Sequence, residues 1–502
     1  MKKLFLMCLW LTLTGVPLTG RTEPFIKTDD AWLRADIETL ANIGVIKSPV
    51  STYPLTWGPI LKDLSEVKLN NISEQYHTTY FRVLRKGRSE TGKNSNYSEI
   101  RANVSQENQM FRYFGDSARG ERELSTRVTG MSNNFAWNLE VTLSPDSIDG
   151  DDKRFDGSYF SAIAGNWIFS IGQIEKWWGP GYQHSIIMSN NAKPTPAFMF
   201  QRNYSEPFET PLLSWMGPWT LTSFVGMLDD SRVVNDAKLL GLSLSFKPLQ
   251  SLEIGLRRTA QWGGDGRPEN FDSFTDLLIG LDNCDEGNLT CDDEFSEPGN
   301  QLAGIDVTWR PLTSIPGALY FQTVGEDEAG YMPSKKSWMY GASFPLLFND
   351  SPITVNFEVI DTSVDGDGND PSIPFTGYNV LYEHSIYSTG YRYRDRSIGS
   401  TLDNDSVGKH LSMIYESTDY GKFVIRLSNL NINQDNEDRP GVGGNYVSSN
   451  ELEFSEIIVR WNWKTSGYGE FTYTGIFRDE QVISNLGALD KQSLGIEWKY
   501  KF

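Results

Sequence analysis

Hydrophobic and polar residues alternate along this chain from about residue 95 to its end, and recur at helical spacing before that. Phe135, Trp137, Leu139, Val141 and Leu143 alternate with Ala136, Asn138, Glu140 and Thr142, and Ile353, Val355, Phe357 and Val359 with Thr354, Asn356 and Glu358. Ile457, Val459, Trp461 and Trp463 repeat the pattern, although Ile458 interrupts the polar side, and Phe471, Tyr473, Gly475 and Phe477 follow it. The last segment is the plainest: Leu494, Ile496, Trp498, Tyr500 and Phe502 against Ser493, Gly495, Glu497, Lys499 and Lys501. Successive side chains of a strand point to opposite faces, so each segment predicts a strand with one apolar and one polar face.

Such faces suit either a soluble sandwich, whose apolar sides meet inside, or a transmembrane barrel, whose apolar side meets lipid. Three features favour the barrel. The strand ends are dense in Trp, Tyr and Phe, the chain stops on the aromatic Phe502, and the connections are of two kinds. Short polar turns contrast with long acidic loops at Ser144–Ser158, Asp282–Asn300, Asp361–Ser372 and Asn431–Val447. At roughly 22–25 residues per strand and connection, the segment 96–502 predicts about 16–18 antiparallel strands.

Ahead of the strands, Met1-Lys2-Lys3 and the apolar run Leu4 to Leu13 read as a secretory signal peptide over 1–20, too short to cross a bilayer. Residues 21–95 predict a small helical unit. Asp29 or Asp30 caps a helix with Leu33, Ile37, Leu40 and Ala41 on one side, ending at Gly44. Trp57, Ile60, Leu61 and Leu64 mark a second helix. A third starts near Ser73, carries Tyr76, Tyr80, Phe81, Val83 and Leu84, and stops near Gly87. Faces this small need a larger body to pack against.

Charge and chemistry narrow the function. Lys and Arg number 45 against 65 Asp and Glu, a net charge of −20 that excludes a nucleic-acid partner gripped through its phosphates. Cys284 and Cys291 predict a disulfide pinching a loop of an exported protein. Asp365-Gly366-Asp367-Gly368-Asn369-Asp370 opens like a calcium loop but lacks its Gly and Glu, Thr376 standing at the twelfth place, so no metal or cofactor is expected. His77, His184, His384 and His410 are scattered, and His184-Ser185 has no placed acid beside it. The expectation is a protein without catalytic activity.

Two stretches carry identity. One is Gly172-Gln173-Ile174-Glu175-Lys176-Trp177-Trp178-Gly179-Pro180-Gly181, continuing through Ser189-Asn190-Asn191-Ala192-Lys193-Pro194-Thr195-Pro196 to Arg202-Asn203. The other is Trp32-Leu33-Arg34-Ala35-Asp36-Ile37 with Leu40-Ala41, Gly44-Val45-Ile46, Pro49-Val50 and Tyr53-Pro54-Leu55. Together they resemble the capsule-assembly Wzi family over essentially the whole mature chain. The resemblance implies an all-β outer-membrane barrel of about 18 antiparallel strands with a periplasmic helical bundle at its N-terminus and long loops outside the cell. It implies a lectin-like role, holding exported capsular polysaccharide or exopolysaccharide at the surface. The expected partners are that polymer and outer-membrane lipid, with the protein a monomer alongside other polysaccharide-export components. A porin or channel for small solutes or oligosaccharides is the alternative.

Two groups of residues could bind a glycan or instead knit a luminal network. Trp177 and Trp178 offer flat apolar faces for sugar C–H groups, and Asn190, Asn191 and Arg202 offer hydrogen bonds. Equally, the two tryptophans fit opposite faces of one strand, with the amides and Arg202 satisfying polar groups in the lumen. In Tyr391-Arg392-Tyr393-Arg394-Asp395-Arg396 the arginines share one face of an alternating stretch, suited to a uronate or to luminal carboxylates.

Overall fold

A computed structural model describes residues 23–92, 97–145, 147–279, 299–312, 316–326, 328–329, 332–333, 335–348, 351–365, 376–417, 420–437 and 444–502. The proposed signal peptide, the Cys284–Cys291 pair and the 366–370 acidic stretch lie outside them.

Eighteen strands close into one antiparallel barrel. In chain order they are β1 Ser98–Ser105, β2 Arg122–Met131, β3 Phe135–Leu143, β4 Tyr159–Ala164, β5 Trp167–Gly172, β6 Ala197–Arg202, β7 Trp219–Met227, β8 Lys238–Leu249 and β9 Leu252–Trp262. The second half is β10 Gly299–Trp309, β11 Ala318–Gly325, β12 Lys336–Phe348, β13 Ser351–Asp365, β14 Val407–Ser417, β15 Gly421–Ile432, β16 Leu452–Thr465, β17 Gly469–Arg478 and β18 Gln492–Lys501. The seam pairs β18 with β1, Gly495 opposite Ser105 and Lys501 opposite Glu99.

The alternation read from the sequence resolves as apolar outward and polar inward. Leu139, Phe160, Phe198, Leu242, Phe357, Leu427, Ile457 and Ile496 are exposed on the outer wall. Inward, Arg257 pairs with Asp306 at 2.8 Å, Arg101 with Glu140 at 3.1 Å and Arg478 with Glu456 at 2.7 Å. Only the polar face can be turned inward, because lipid offers no hydrogen bonds to charged groups. Ile458 and Ile476, inward and buried, join the apolar residues of the plug. At one end the connections are tight (132–134, 165–166, 250–251, 466–468), and there Phe423 stacks on Trp461 and Trp461 on Tyr473, with Trp498, Tyr500 and Phe502 continuing the aromatic girdle. At the other end lie the described parts of the long connections: 106–121, 144–145 and 147–158, 173–196, 376–406, and 433–437 with 444–451. Asp361 to Asp365, expected in a loop, extend β13 instead.

Three helices occupy the short-turn mouth: α1 Ala31–Asn42, α2 Trp57–Glu66 and α3 His77–Thr91. Asp30 caps α1, its Oδ1 accepting from the Leu33 N–H at 2.9 Å. The third helix does not stop at Gly87 but runs on to Thr91, because that glycine is a packing site: a Cβ there would lie 2.7 Å from Leu61 and 2.9 Å from the Trp57 ring. Ile37, Leu40, Tyr53, Trp57, Ile60, Leu64 and Val83 form the small core of this unit.

Candidate functional site

The connection 173–196 enters the barrel from the long-loop end and meets the N-terminal unit inside it. Trp177 pairs with Tyr53 and Trp178 with Thr52 as a short antiparallel bridge, and the Gly179 N–H donates to the Ser51 carbonyl at 3.0 Å. Gly181 allows the chain to double back, since a Cβ there would lie 2.2 Å from the His184 carbonyl oxygen. An irregular segment in a lumen leaves its amides unpaired unless the wall supplies acceptors. The inward side chains do so. Glu358 on β13 accepts from the N–H groups of Tyr182, Gln183 and His184 at 2.8, 3.2 and 2.7 Å. Gln322 on β11 accepts from the Ile186 N–H and donates to the Trp178 carbonyl, while Glu253 on β9 accepts from both Val50 and Ser51.

Arg34 of α1 pins the two halves of this plug together. Its guanidinium is fully buried, donates to the Pro180 carbonyl at 2.7 Å and lies 4.4 Å from the ring centres of both Phe114 and Tyr182. Tyr53 and Trp177 complete the aromatic cage at 5.6 and 5.9 Å. Nearby, Arg310 donates to Glu253 at 3.0 Å and to Glu38 of α1 at 2.8 Å, joining wall and plug.

Toward the long loops the plug is stitched from above. The Ser189 N–H donates to the Ile398 carbonyl at 2.9 Å, Asn191 Nδ2 to the Ser397 carbonyl at 2.9 Å and the Tyr391 hydroxyl to the Ile187 carbonyl at 3.0 Å. Arg112 donates to the carbonyl of Asn190, and Arg119 to those of Asn190, Asn191 and Ala192. Burial, with Arg119 and Arg396 close by, pulls Arg112 down to about 9. Asp149 is held well below the usual carboxylate range because Arg396 and Arg119 outweigh its burial. A polar void of about 160 Å³ remains between the N-terminal unit and the β16–β18 and β1 wall, lined by Asp29, Thr472, Thr474, Glu497 and Lys499.

The structure thus brings Trp177, Trp178, Asn190 and Asn191 into one buried assembly. The two tryptophans are not on opposite faces of a wall strand; both lie inside the lumen, because the segment pairs with Thr52–Tyr53 rather than with the barrel. Arg202 is not luminal. It ends β6 on the outward face, 3.7 Å above the Trp219 ring, with bonds to the Glu206 and Trp219 carbonyls. The 391–396 stretch is no alternating wall strand but a tight hairpin, Arg392–Tyr393 against Arg396–Ser397, with Arg394 and Asp395 at positive φ in its turn. Arg392 is buried on Asp403 and Glu383, Arg396 on Asp149, and Arg394 is half-buried at the tip. His184 bonds His410 at 2.8 Å, whereas the Ser185 hydroxyl donates to the Trp178 carbonyl. Sequence reasoning gave no plug role to Arg34, Arg112, Arg310, Glu253 or Glu358, although the Trp32–Ile37 motif carried a signal for Arg34 and the polar face of the 353–359 alternation one for Glu358.

The family model described as capsule assembly protein Wzi matches residues 91–473. An uncharacterised 55.8 kDa protein in the cps region of Klebsiella pneumoniae is 33 % identical over 332 residues, 62 % of this chain, and the match spans only 60 % of that relative's length. Wzi of Escherichia coli, an outer-membrane protein involved in group 1 capsule assembly and a carbohydrate-binding β-barrel, superposes with a TM-score of 0.81 at 22 % identity, over 96 % of this chain and 100 % of its own. At that identity the likeness is one of fold.

Proposed function

This chain belongs to the Wzi capsule-assembly family of outer-membrane barrels, and from that premise we propose that it is a lectin-like, non-catalytic protein that holds exported capsular polysaccharide or exopolysaccharide at the cell surface. In this reading the short-turn mouth and its three helices face the periplasm, and the long connections face outward as the glycan-bearing platform. The observation that supports it is the filling of the lumen: among the described residues, the Trp177–Trp178 bridge to Thr52–Tyr53 and the 376–406 cover hold the 173–196 connection buried inside the barrel. A barrel so filled serves as a rigid mount. Binding residues then belong to the exposed ends of the loops, with Arg394 as the candidate among those singled out by sequence, and with Trp177, Trp178, Asn190, Asn191 and Arg392 supporting the mount beneath.

The test is a clean deletion strain complemented with wild-type protein. Polymer synthesis and export continue while the polymer is shed into the medium, and complementation returns it to the cells. Unchanged cell-associated polymer in the deletion strain overturns the reading. Retention of the organism's own purified polysaccharide on immobilised, detergent-solubilised protein tests the binding step directly.

A further inference from the structure

The connection 203–218 between β6 and β7 turns outward from the short-turn mouth instead of crossing it. Phe246 of β8 belongs to the lipid-facing row, in register with Trp219 and two positions from Leu244, yet it is only 6 % exposed. Its cover is Trp215, whose ring stands edge-on to it at 5.7 Å. Trp219 in turn carries the Phe208 ring stacked at 4.4 Å. Gly217, at φ +64°, brings the chain back into β7 at a point where a Cβ would lie 2.0 Å from the Lys247 carbonyl oxygen. The single 3-10 turn Ser214–Met216 and its approach therefore lie on the outside of the barrel. They leave Leu212 81 % and Trp215 59 % exposed, and Leu213 is exposed between them.

The start of the same connection grips the N-terminal unit. Thr56 Oγ1 donates to the Asn203 carbonyl at 2.8 Å, Ser205 Oγ to Ser48 Oγ at 2.8 Å, and Lys62 pairs with Glu206 at 3.1 Å. The Tyr204 ring closes on Gly58, where a Cβ would meet it at 2.9 Å.

We propose that residues 211–216 form a foot immersed in the leaflet at the short-turn rim, with Leu212, Leu213 and Trp215 among acyl chains and Arg202 at headgroup depth, and that this immersion, passed on through residues 203–206, clamps the N-terminal unit in the mouth. The occupant is lipid because the patch continues, through Phe246, the wall that already faces hydrocarbon, and because a Trp and an Arg at its edge match the boundary chemistry of such walls. That this is the periplasmic leaflet rests on the orientation proposed above.

The test uses the full-length protein in phospholipid vesicles, with nitroxide labels on Leu212→Cys, on Leu256→Cys as a wall reference and on Glu74→Cys as an aqueous reference. The label at 212 is expected to match that at 256, relaxed by oxygen more than by a water-soluble nickel chelate. A profile like that at 74, or protection from both reagents as under a protein partner, overturns the immersion. For the clamp, hydrogen exchange at residues 48–58 is compared between wild type and Leu212→Asp/Leu213→Asp in the same vesicles. Exchange there rises by about tenfold while residues 376–406 stay protected; unchanged exchange overturns the clamp, and loss of protection at both places marks general unfolding and overturns it too. Neither readout depends on polysaccharide binding.

Discussion

At the scale of single residues, the plug depends on charges that have given up water for one exact set of partners. Arg34 holds four aromatic rings and the Pro180 carbonyl around a planar guanidinium. Lysine keeps the charge but not the plane, and a compact ammonium is harder to strip of water. Arg34→Lys is expected to lower stability by about 2 kcal/mol and to speed protease cleavage within 173–196; an unchanged melting temperature and cleavage rate would remove Arg34 from this role. Asp405, in the outer cover, behaves differently. Burial, reinforced by Asp435, Asp403 and Glu383, pushes its carboxyl from 3.8 up to about 8 against the pull of the Asn379 N–H it accepts. The folded chain thus keeps a proton that the unfolded chain releases, so this stabilisation is present at low pH and is lost as pH rises between about 4 and about 8. Hydrogen exchange in residues 376–406 should accelerate from about pH 6 to about pH 9, beyond the intrinsic rate increase. Asp405→Asn should flatten that excess, and an excess that persists in the variant would refute the assignment.

At the scale of elements, Gly87 shows where a sequence reading goes astray. A glycine after a run of helical apolar residues reads as a stop, yet here it admits Trp57 and Leu61 of α2 into the middle of α3. Gly87→Leu should therefore destabilise the N-terminal unit by about 2 kcal/mol despite leucine's higher helix propensity. Thermal unfolding followed by limited proteolysis of residues 57–91 checks it, and a gain in stability would contradict the packing. The wall strands were legible because lipid outside and a polar lumen inside impose strict alternation over eight or more residues, as in β18 and β3. The third helix was legible in its existence but not in its ends: Ser73 precedes a 3-10 turn, Glu74–Tyr76, without a side-chain capping bond, and the α-helix proper runs from His77 to Thr91. The plug was illegible as a plug: Trp177 and Trp178 read as strand residues, and whether their partner is the wall or Thr52–Tyr53 is a long-range fact with no local trace. The same holds for 391–396, where alternating Tyr and Arg look like a strand while Arg394 and Asp395 at positive φ make it a hairpin.

At the scale of the whole molecule, eighteen strands enclose a lumen wide enough for a porin, and the chain spends its N-terminal unit and the 173–196 connection filling it. Purified protein in a planar bilayer should show no porin-sized conductance steps, whereas a variant with residues 177–191 replaced by a short Gly-Ser linker should show them. Steps from the intact protein would return the channel reading to favour. The filling has a mechanical side as well. A tug on the outer loops runs through Ile398 and Ser397 into Ser189 and Asn191, then through the Met188–Trp178 bond, and reaches the wall at Glu358, Gln322 and Glu253. In the proposed role, tension from a long chain dragged by flowing liquid would thus be delivered to several staves of the cylinder at once, deep in its bore, instead of peeling one hairpin from the rim.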